Sequence, residues 1–151
     1  MRQLRAHSVY LLKDKLKIDK AIICTDGAAR GNPGPAAIGA TIRNGSGRLI
    51  ARISCRIGIT TNNQAEYQAI IAALEQAISL GASYVELKSD SELVVKQLNG
   101  SYRVKNTAVK PLYQKVKQLT ASLTGFTIAY LPREQNAEAD RLANQALDTT
   151  P

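Results

Sequence analysis

The sequence predicts an α/β protein in which a five-stranded mixed sheet carries helices on both faces. Two observations carry this prediction. Strand-like apolar segments follow one another up to residue 59, and from residue 62 the apolar spacing becomes helical, after which strands and helices alternate. The early strands are close in sequence, so we expect three antiparallel strands first and parallel strands after them. Right-handed crossovers then place the fourth strand parallel to the first and near it.

Five segments are predicted as strands. They cover residues 21–25, 36–43, 48–59, 83–90 and 125–132. The turn "NGSG" at residues 44–47 joins the second to the third, because Asn and Gly supply the positive φ angles that hairpins need. In the third strand, one face carries Leu49, Ala51, Ile53, Cys55, Ile57 and Ile59 and the other carries Arg48, Arg52 and Arg56. This alternation predicts a half-buried antiparallel strand with a basic outer face.

Four segments are predicted as helices. They cover residues 62–81, 91–100, 106–123 and 136–148. In the first, Asn63 is placed to cap the start with Glu66 three residues on, as in a capping box, and Gly81 is a plausible stop. Pro111 falls in the first turns of the third helix, where proline is tolerated.

Composition and charge limit the function classes. The 151 residues suit one domain, and 44% of them are apolar, which is enough for a core. No apolar run approaches the ~18 residues of a membrane span, and residues 1–20 lack the features of a secretory signal, so we expect a cytoplasmic protein. The formal charge of +8 favours nucleic acid as a partner, the alternative being a merely basic protein.

The basic residues are unevenly distributed. Residues 1–20 form a basic extension, which we interpret as a disordered or loosely docked tail, and residues 21–148 form the remaining domain. A second basic stretch without acids comprises Lys96, Arg103, Lys105, Lys110, Lys115 and Lys117. Cys24 and Cys55 lie in strand patterns outside any metal-binding spacing and are predicted to be reduced core thiols. The one histidine, His7, gives poor support for zinc sites or histidine-based triads.

Carboxylates end two of the predicted strands. Asp26 follows "AIICT" and Asp90 follows "SYVELKS", so parallel neighbouring strands would bring both to one edge of the sheet. Glu66 points to the buried side of the first long helix, and Asp140 lies near the packed face of the last. Four such groups would repel one another unless divalent cations held them, and Mg²⁺ prefers oxygen ligands.

Each acid also has a simpler interpretation. Asp26 precedes Gly27 and could only make a turn, or the glycines at residues 27–34 could cradle a phosphate. Asp90 could be a helix N-cap, Glu66 a capping partner and Asp140 a solvated helix residue. The glycine spacing of "GAARGNPG" fits neither the dinucleotide-binding motif nor the P-loop, which argues against a nucleotide cradle.

Four sequence blocks together resemble the motifs of type 1 ribonuclease H. They are "TDGAARGNPGPAAIGATI", "TTNNQAEYQAIIAALE", "LKSDSELVVKQLNG" and "REQNAEADRLANQAL", in order over residues 21–148. The resemblance implies the ribonuclease H-like fold and metal-dependent cutting of the RNA strand of RNA–DNA hybrids, leaving 3′-hydroxyl and 5′-phosphate ends. It also implies two Mg²⁺ ions, with Mn²⁺ as the other candidate metal. Duplex RNA is a second candidate substrate, and we expect a monomer that does not bind membranes.

The same resemblance implies roles for individual residues. Asp26 matches the carboxylate that bridges both metals, Asp140 a ligand of the metal that activates water, and Glu66 and Asp90 ligands of the other metal. Glu66 also matches a contact to the ribose 2′-hydroxyl. The substrate-contact positions carried over are Gly27, Ala28, Ala29, Asn32, Thr61, Asn62 and Asn63. Small residues at 27–29 would permit close approach of the RNA strand.

Two departures from the family pattern affect the expected turnover and affinity. Many relatives carry a histidine in the loop before the last helix, whereas "LPREQNAEAD" has none, and Arg133 is the candidate substitute. Some relatives insert a long basic protrusion where "NGSYRVKNTAVKP" is compact, so the basic residues at 96–117 are left to grip the DNA strand. A related nuclease on the same sheet, or a weakly active or non-catalytic hybrid-binding or duplex-RNA-binding module, is the alternative function, and the complete set of four acids argues against both.

Overall fold

The computed structural model describes residues 9–11 and 17–149. Its strands are β1 (Val9–Leu11), β2 (Lys20–Ala29), β3 (Gly34–Asn44), β4 (Leu49–Thr60), β5 (Tyr84–Ser89) and β6 (Gly125–Tyr130). Its helices are α1 (Asn62–Ser79), α2 (Glu92–Leu98), α3 (Lys110–Ala121) and α4 (Ala137–Asp148), with a single 3₁₀ turn at Arg133–Gln135. No helix of these residues is long and apolar enough to span a bilayer.

One mixed sheet runs in the order β1-β4-β3-β2-β5-β6. β1, β4, β3 and β2 pair antiparallel in turn, and β5 and β6 add in parallel to β2. The five predicted strands are confirmed as β2 to β6. A sixth strand, β1, which the sequence analysis did not predict, lies within the basic extension, and its three residues pair with Ala51–Ile53 at the edge of the sheet. The rest of the extension up to residue 16, including His7, lies outside the described residues.

Helices cover both faces of the sheet, as predicted. Ile23, Ile38 and Ile53 point to one face and belong to the core that α1 and α3 complete. On the opposite face α4 packs so closely on β3 that a methyl group at Gly39 would overlap the backbone of Ala139. The alternation of strand side chains therefore separates an aliphatic core on the α1 side from a close backbone contact on the α4 side.

The start of α1 differs from the prediction. Thr61, rather than Asn63, is the N-cap: its hydroxyl accepts from the backbone N–H of Gln64, and the Gln64 side chain accepts from the backbone N–H of Thr61. The segment "TTNNQAE" offers two polar pairs at capping-box spacing, and the pair two residues earlier forms the box. Glu66 is therefore released from capping. At the other end the prediction holds, since α1 ends at Ser79 and Gly81 follows with a φ of +98°.

The predicted alternation of β4 fails in its second half. Register shifts in the β3–β4 pairing interrupt the two-residue period, and Ile59, predicted to face inward, is 76% exposed. The predicted basic outer face is also partly covered. Arg56 donates from its guanidinium to the carbonyls of Ala146, Leu147 and Thr149, so it caps the end of α4 rather than facing only water. Cys24 and Cys55 are unpaired, as predicted, but both are half-buried rather than fully buried in the core.

Candidate active site

Three carboxylates meet where the parallel pairing of β2 with β5 stops. Asp26 does not end its strand as predicted, because β2 continues to Ala29 in its pairing with β3. Thr25 pairs with Ser89 in the parallel register, so Asp26 and Asp90 follow side by side, as the sequence predicted. Glu66 enters from the first turns of α1, and Asp26, Glu66 and Asp90 each offer an oxygen within 4.8 Å of the others. Asp26 is 2% exposed and Glu66 4% exposed. Buried acids at this spacing are a favourable donor set for a hard cation.

Among the described residues, Glu66 is held by a backbone N–H group and not by a salt bridge to Lys or Arg. Its Oε1 accepts from the N–H of Gly27 at 3.0 Å. A methyl group at Gly27 would overlap the backbone of Ala65 and Glu66, so the absence of a side chain there lets α1 approach β2. Gly27 was expected to lie against the RNA strand, and in the fold its lack of a side chain is also needed for the contact with α1.

Burial and mutual repulsion set the protonation of the cluster. Burial, together with the charge of Asp90 and the hydrogen bond and charge of Asp140, raises the pKa of Asp26 to about 8, against a smaller opposite effect of Arg133. Burial, followed by the charges of Asp26 and Asp90, also raises the pKa of Glu66 well above its usual range, against a smaller opposite effect of the Gly27 N–H. Without a cation Asp26 therefore retains its proton near neutral pH, and Glu66 ionises less readily than a free glutamate.

Asp140 lies beside this cluster on the first turn of α4. It is close enough to Asp26 that its charge and hydrogen bonding raise the pKa of that carboxyl. Asn144, one turn later, donates to Asp140 Oδ1 at 3.2 Å, and Arg133 Nη1 lies 4.0 Å from the same oxygen. The structure thus brings all four predicted acids to one place, with Asp90 and Asp140 half-buried and with Arg133, in the 3₁₀ turn, at ion-pair distance from Asp140.

A residue that the sequence analysis did not single out also reaches the cluster. Asn136 is 2% exposed and donates from Nδ2 to Asp90 Oδ2 at 3.2 Å and to the carbonyl of Thr25 at 2.9 Å. Asp90 Oδ1 is buried and has no hydrogen-bond partner among the described residues. A buried carboxylate oxygen in that state is unfavourable unless something binds it, which fits a cation ligand. The only sequence indication was the position of Asn136 in the "REQNAEAD" block.

The predicted substrate-contact positions form a rim beside the cluster. Asn32 Oδ1 accepts from the backbone N–H of Asn62 at 3.0 Å, and Asn62 Oδ1 accepts from the N–H of Ala29 at 3.1 Å. These two bonds join the end of β2, the glycine-proline loop and the start of α1. Asn32 and Asn62 are exposed, whereas Thr61 and Asn63 are half-buried. The amide oxygens of these two exposed residues therefore hold the rim together.

A groove lies where α2 leads into α3. It has a volume of about 570 Å³ and is lined by Gly100, Ser101, Tyr102, Arg103, Val104, Lys110, Tyr113 and Gln114. Tyr102 is 50% exposed, and the ammonium of Lys96 lies 5.0 Å from its ring centroid. Three of the six predicted basic residues at 96–117 are therefore at this groove, combined with exposed aromatic surface.

Comparison with known proteins agrees with this fold. The model of the family described as Reverse transcriptase-like matches residues 24–146. Ribonuclease HI of Halobacterium salinarum is 45% identical over 82% of this chain, which spans 62% of the length of that relative. The crystal structure of the RNase H1 of the same archaeon superposes with a TM-score of 0.83 at 43% identity, covering 85% of this chain and 98% of that one.

A second solved structure contains nucleic acid. LC11-RNase H1, isolated from compost by a metagenomic approach and crystallised in complex with an RNA/DNA hybrid, superposes with a TM-score of 0.81 at 43% identity, over 85% of this chain and 96% of that one. The fold and the clustered acids define an α/β protein with a carboxylate centre at the ends of its parallel strands. With these matches the family follows: the chain belongs to the type 1 ribonuclease H family.

Proposed function

We propose that this protein is a metal-dependent endoribonuclease that hydrolyses the RNA strand of RNA–DNA hybrids. The observation that carries the proposal is the cluster of Asp26, Glu66 and Asp90, whose oxygens lie within 4.8 Å of one another beside Asp140. The similar LC11 enzyme, crystallised with an RNA/DNA hybrid, supports the choice of substrate. The products would carry 3′-hydroxyl and 5′-phosphate ends.

The four acids would hold two divalent cations, with Mg²⁺ as the ion that suits an all-oxygen donor set and Mn²⁺ as its substitute. The donor chemistry fits, because two of the acids are almost fully buried and Asp90 has a buried oxygen without a hydrogen-bond partner among the described residues. When bound, such a pair of cations activates a water and stabilises the leaving oxygen of a phosphodiester.

The protein's own groups would orient the substrate. The backbone at residues 27–29 faces the RNA strand, and Glu66, fixed by the Gly27 N–H, reads the 2′-hydroxyl that distinguishes RNA from DNA. The rim formed by Asn32 and Thr61–Asn63 contacts sugar, phosphate or base edges. The Asn32–Asn62–Ala29 hydrogen bonds support this role, because they fix the backbone that carries those groups.

The groove at residues 100–114 would grip the DNA strand. Lys96, Arg103 and Lys110 supply positive charge for phosphates, and Tyr102 offers an exposed ring for stacking. Arg133 would stand in for the loop histidine of relatives, because its guanidinium is exposed and near Asp140. We further propose that the protein acts as a cytoplasmic monomer.

A cleavage assay on matched substrates tests the proposal. A labelled RNA–DNA hybrid, duplex RNA and duplex DNA of one sequence are incubated with Mg²⁺, Mn²⁺ or EDTA, and the product ends are mapped. We expect hybrid cleavage with either metal and none in EDTA. Activity in EDTA would refute the metal mechanism, and equal cutting of duplex DNA would refute 2′-hydroxyl selection.

Matched variants distinguish cleavage at the proposed site from cleavage by a contaminating nuclease. Asp26→Asn removes a proposed ligand, whereas Asp148→Asn removes an exposed carboxylate that pairs with Arg30 at the far end of α4. Loss of cleavage in the first with retention in the second supports the site. Hybrid binding without cleavage by the wild-type protein under all metal conditions would favour the binding-module alternative.

A further inference from the structure

Asn136 occupies the junction between three segments of the candidate active site. It is the residue before α4, four positions ahead of Asp140, whose backbone N–H donates to the Asn136 carbonyl at 3.1 Å. Its side chain donates to Thr25, the last residue of β2 that pairs with β5, and to Asp90, the residue after β5. One buried amide thus connects the strand ends and the helix that carry Asp26, Asp90 and Asp140.

The side chain of Asn136 is not used for the purpose that its position favours. An asparagine at a helix N-cap ordinarily accepts a hydrogen bond from the first turn, yet this side chain makes no capping bond. Its amide is instead turned to the strand ends. The start of α4 therefore lacks a side-chain cap. The Asn136 amide bonds to Thr25 and Asp90 instead.

The chemistry at this position requires two donors. The Thr25 carbonyl and Asp90 Oδ2 are both acceptors, and the NH₂ of Asn136 has one proton for each. An apolar side chain would leave two acceptors without these bonds. With Oδ2 engaged by the amide, Oδ1 is the oxygen of Asp90 without a hydrogen-bond partner in the described part of the chain.

We propose that Asn136 is a positioning residue of the active site, which fixes the orientation of Asp90 so that one of its oxygens is kept for a divalent cation. This inference rests on the proposed function, since it assigns Asp90 to a cation. Partners behind a metal ligand fix its orientation, and their loss commonly weakens metal binding or activity ~10–100-fold. Asn136 itself touches neither substrate nor cation in this proposal.

The test compares Asn136→Ala with Asn44→Ala, a matched control. Asn44 lies in the β3–β4 turn, where its Oδ1 accepts from Ser46 and Arg48, so its loss also removes local hydrogen bonds. Mg²⁺ is titrated into each substrate-free protein and followed by the NMR shift of the Gly27 N–H. We expect the apparent Kd for Mg²⁺ to rise ~10–100-fold in the Asn136 variant and to stay unchanged in the Asn44 variant.

Kinetics give a second measurement. The Mg²⁺ concentration for half-maximal hybrid cleavage should rise in the Asn136 variant by the same factor, while KM for the hybrid is unchanged and kcat recovers at saturating Mg²⁺. A loss of kcat that Mg²⁺ does not restore, or an unchanged Kd, would overturn the inference. Wild-type protein that binds no Mg²⁺ would overturn the proposed function instead, so the two failures are distinguishable.

A measurement on the wild-type protein covers the case of a variant that does not fold. The side-chain NH₂ resonances of Asn136 should shift as Mg²⁺ is added, because a cation bound to Asp90 changes the charge on the oxygen to which this NH₂ donates. The side-chain NH₂ resonances of Asn44 should not shift. Unmoved Asn136 resonances, with the Gly27 N–H shifting normally, would count against the positioning role.

Discussion

Replacing Asp26 with asparagine should stabilise the metal-free protein at alkaline pH. Burial and the neighbouring acids raise the pKa of Asp26 from 3.8 to about 8. A carboxyl with a raised folded-state pKa contributes stability in acid, and that stability is lost as the pH rises from about 4 through about 8. Asparagine has no proton to lose, so the variant escapes this loss.

The size of the effect follows from the two pKa values. Each tenfold difference in acidity corresponds to about 1.4 kcal/mol, so the full change from 3.8 to about 8 would cost roughly 6 kcal/mol if Asp26 titrated alone. Because relaxation and water penetration reduce the cost of charging a buried group, we expect about 2–3 kcal/mol at pH 8. For a chain of this length that corresponds to a Tm difference of roughly 5–10 °C.

Urea unfolding in EDTA at pH 5, 6, 7 and 8 measures this difference directly. The wild-type free energy of unfolding should fall with pH more steeply than that of Asp26→Asn, and Asp148→Asn, an exposed control, should follow the wild type. Addition of Mg²⁺ should stabilise the wild type and leave the Asp26 variant little changed. Parallel pH profiles, or a variant that is less stable at pH 8, would refute the assignment of the raised pKa to Asp26.

Other regions of the molecule give further predictions. Asp90→Asn should lower hybrid cleavage at least ~100-fold while hybrid affinity in a gel-shift assay is retained, since even outer partners of a metal ligand contribute 10–100-fold; full activity would exclude Asp90 as a ligand. Arg56→Met should destabilise the protein by about 1–2 kcal/mol in urea, because the end of α4 loses charged hydrogen bonds, and unchanged stability would show that the cap contributes nothing. Arg103→Ala should weaken hybrid binding and reduce the slope of log K against log salt by about 1. An unchanged slope would show that Arg103 does not contact a phosphate of the hybrid.

The sheet and the four acids were predictable because their determinants are local or topological. Strand alternation, the change to helical period and the right-handed crossover bring Asp26 and Asp90 to one edge without any knowledge of side-chain contacts. The same rules place Glu66 and Asp140 on packed helix faces.

The missed features depend on contacts between distant segments. Whether Thr61 or Asn63 caps α1 is undecided within "TTNNQAE", and in the fold Glu66 is engaged by the Gly27 N–H, 39 residues earlier in the chain. The exposure of Ile59 follows from register shifts in strand pairing. Asn136 looks like an ordinary helix cap until β2 and β5 supply its two acceptors.

The close helix contacts at Gly27 and Gly39 limit how the protein can be engineered. Replacing glycine with alanine is a common route to thermostability, because it reduces the freedom of the unfolded chain. At these two positions an added methyl would push against the backbone of α1 on one face of the sheet and of α4 on the other. Those helices carry Glu66 and Asp140, so a change made for stability would alter the separation of the acids without touching any of them. A stabilisation programme for this chain should leave both glycines in place.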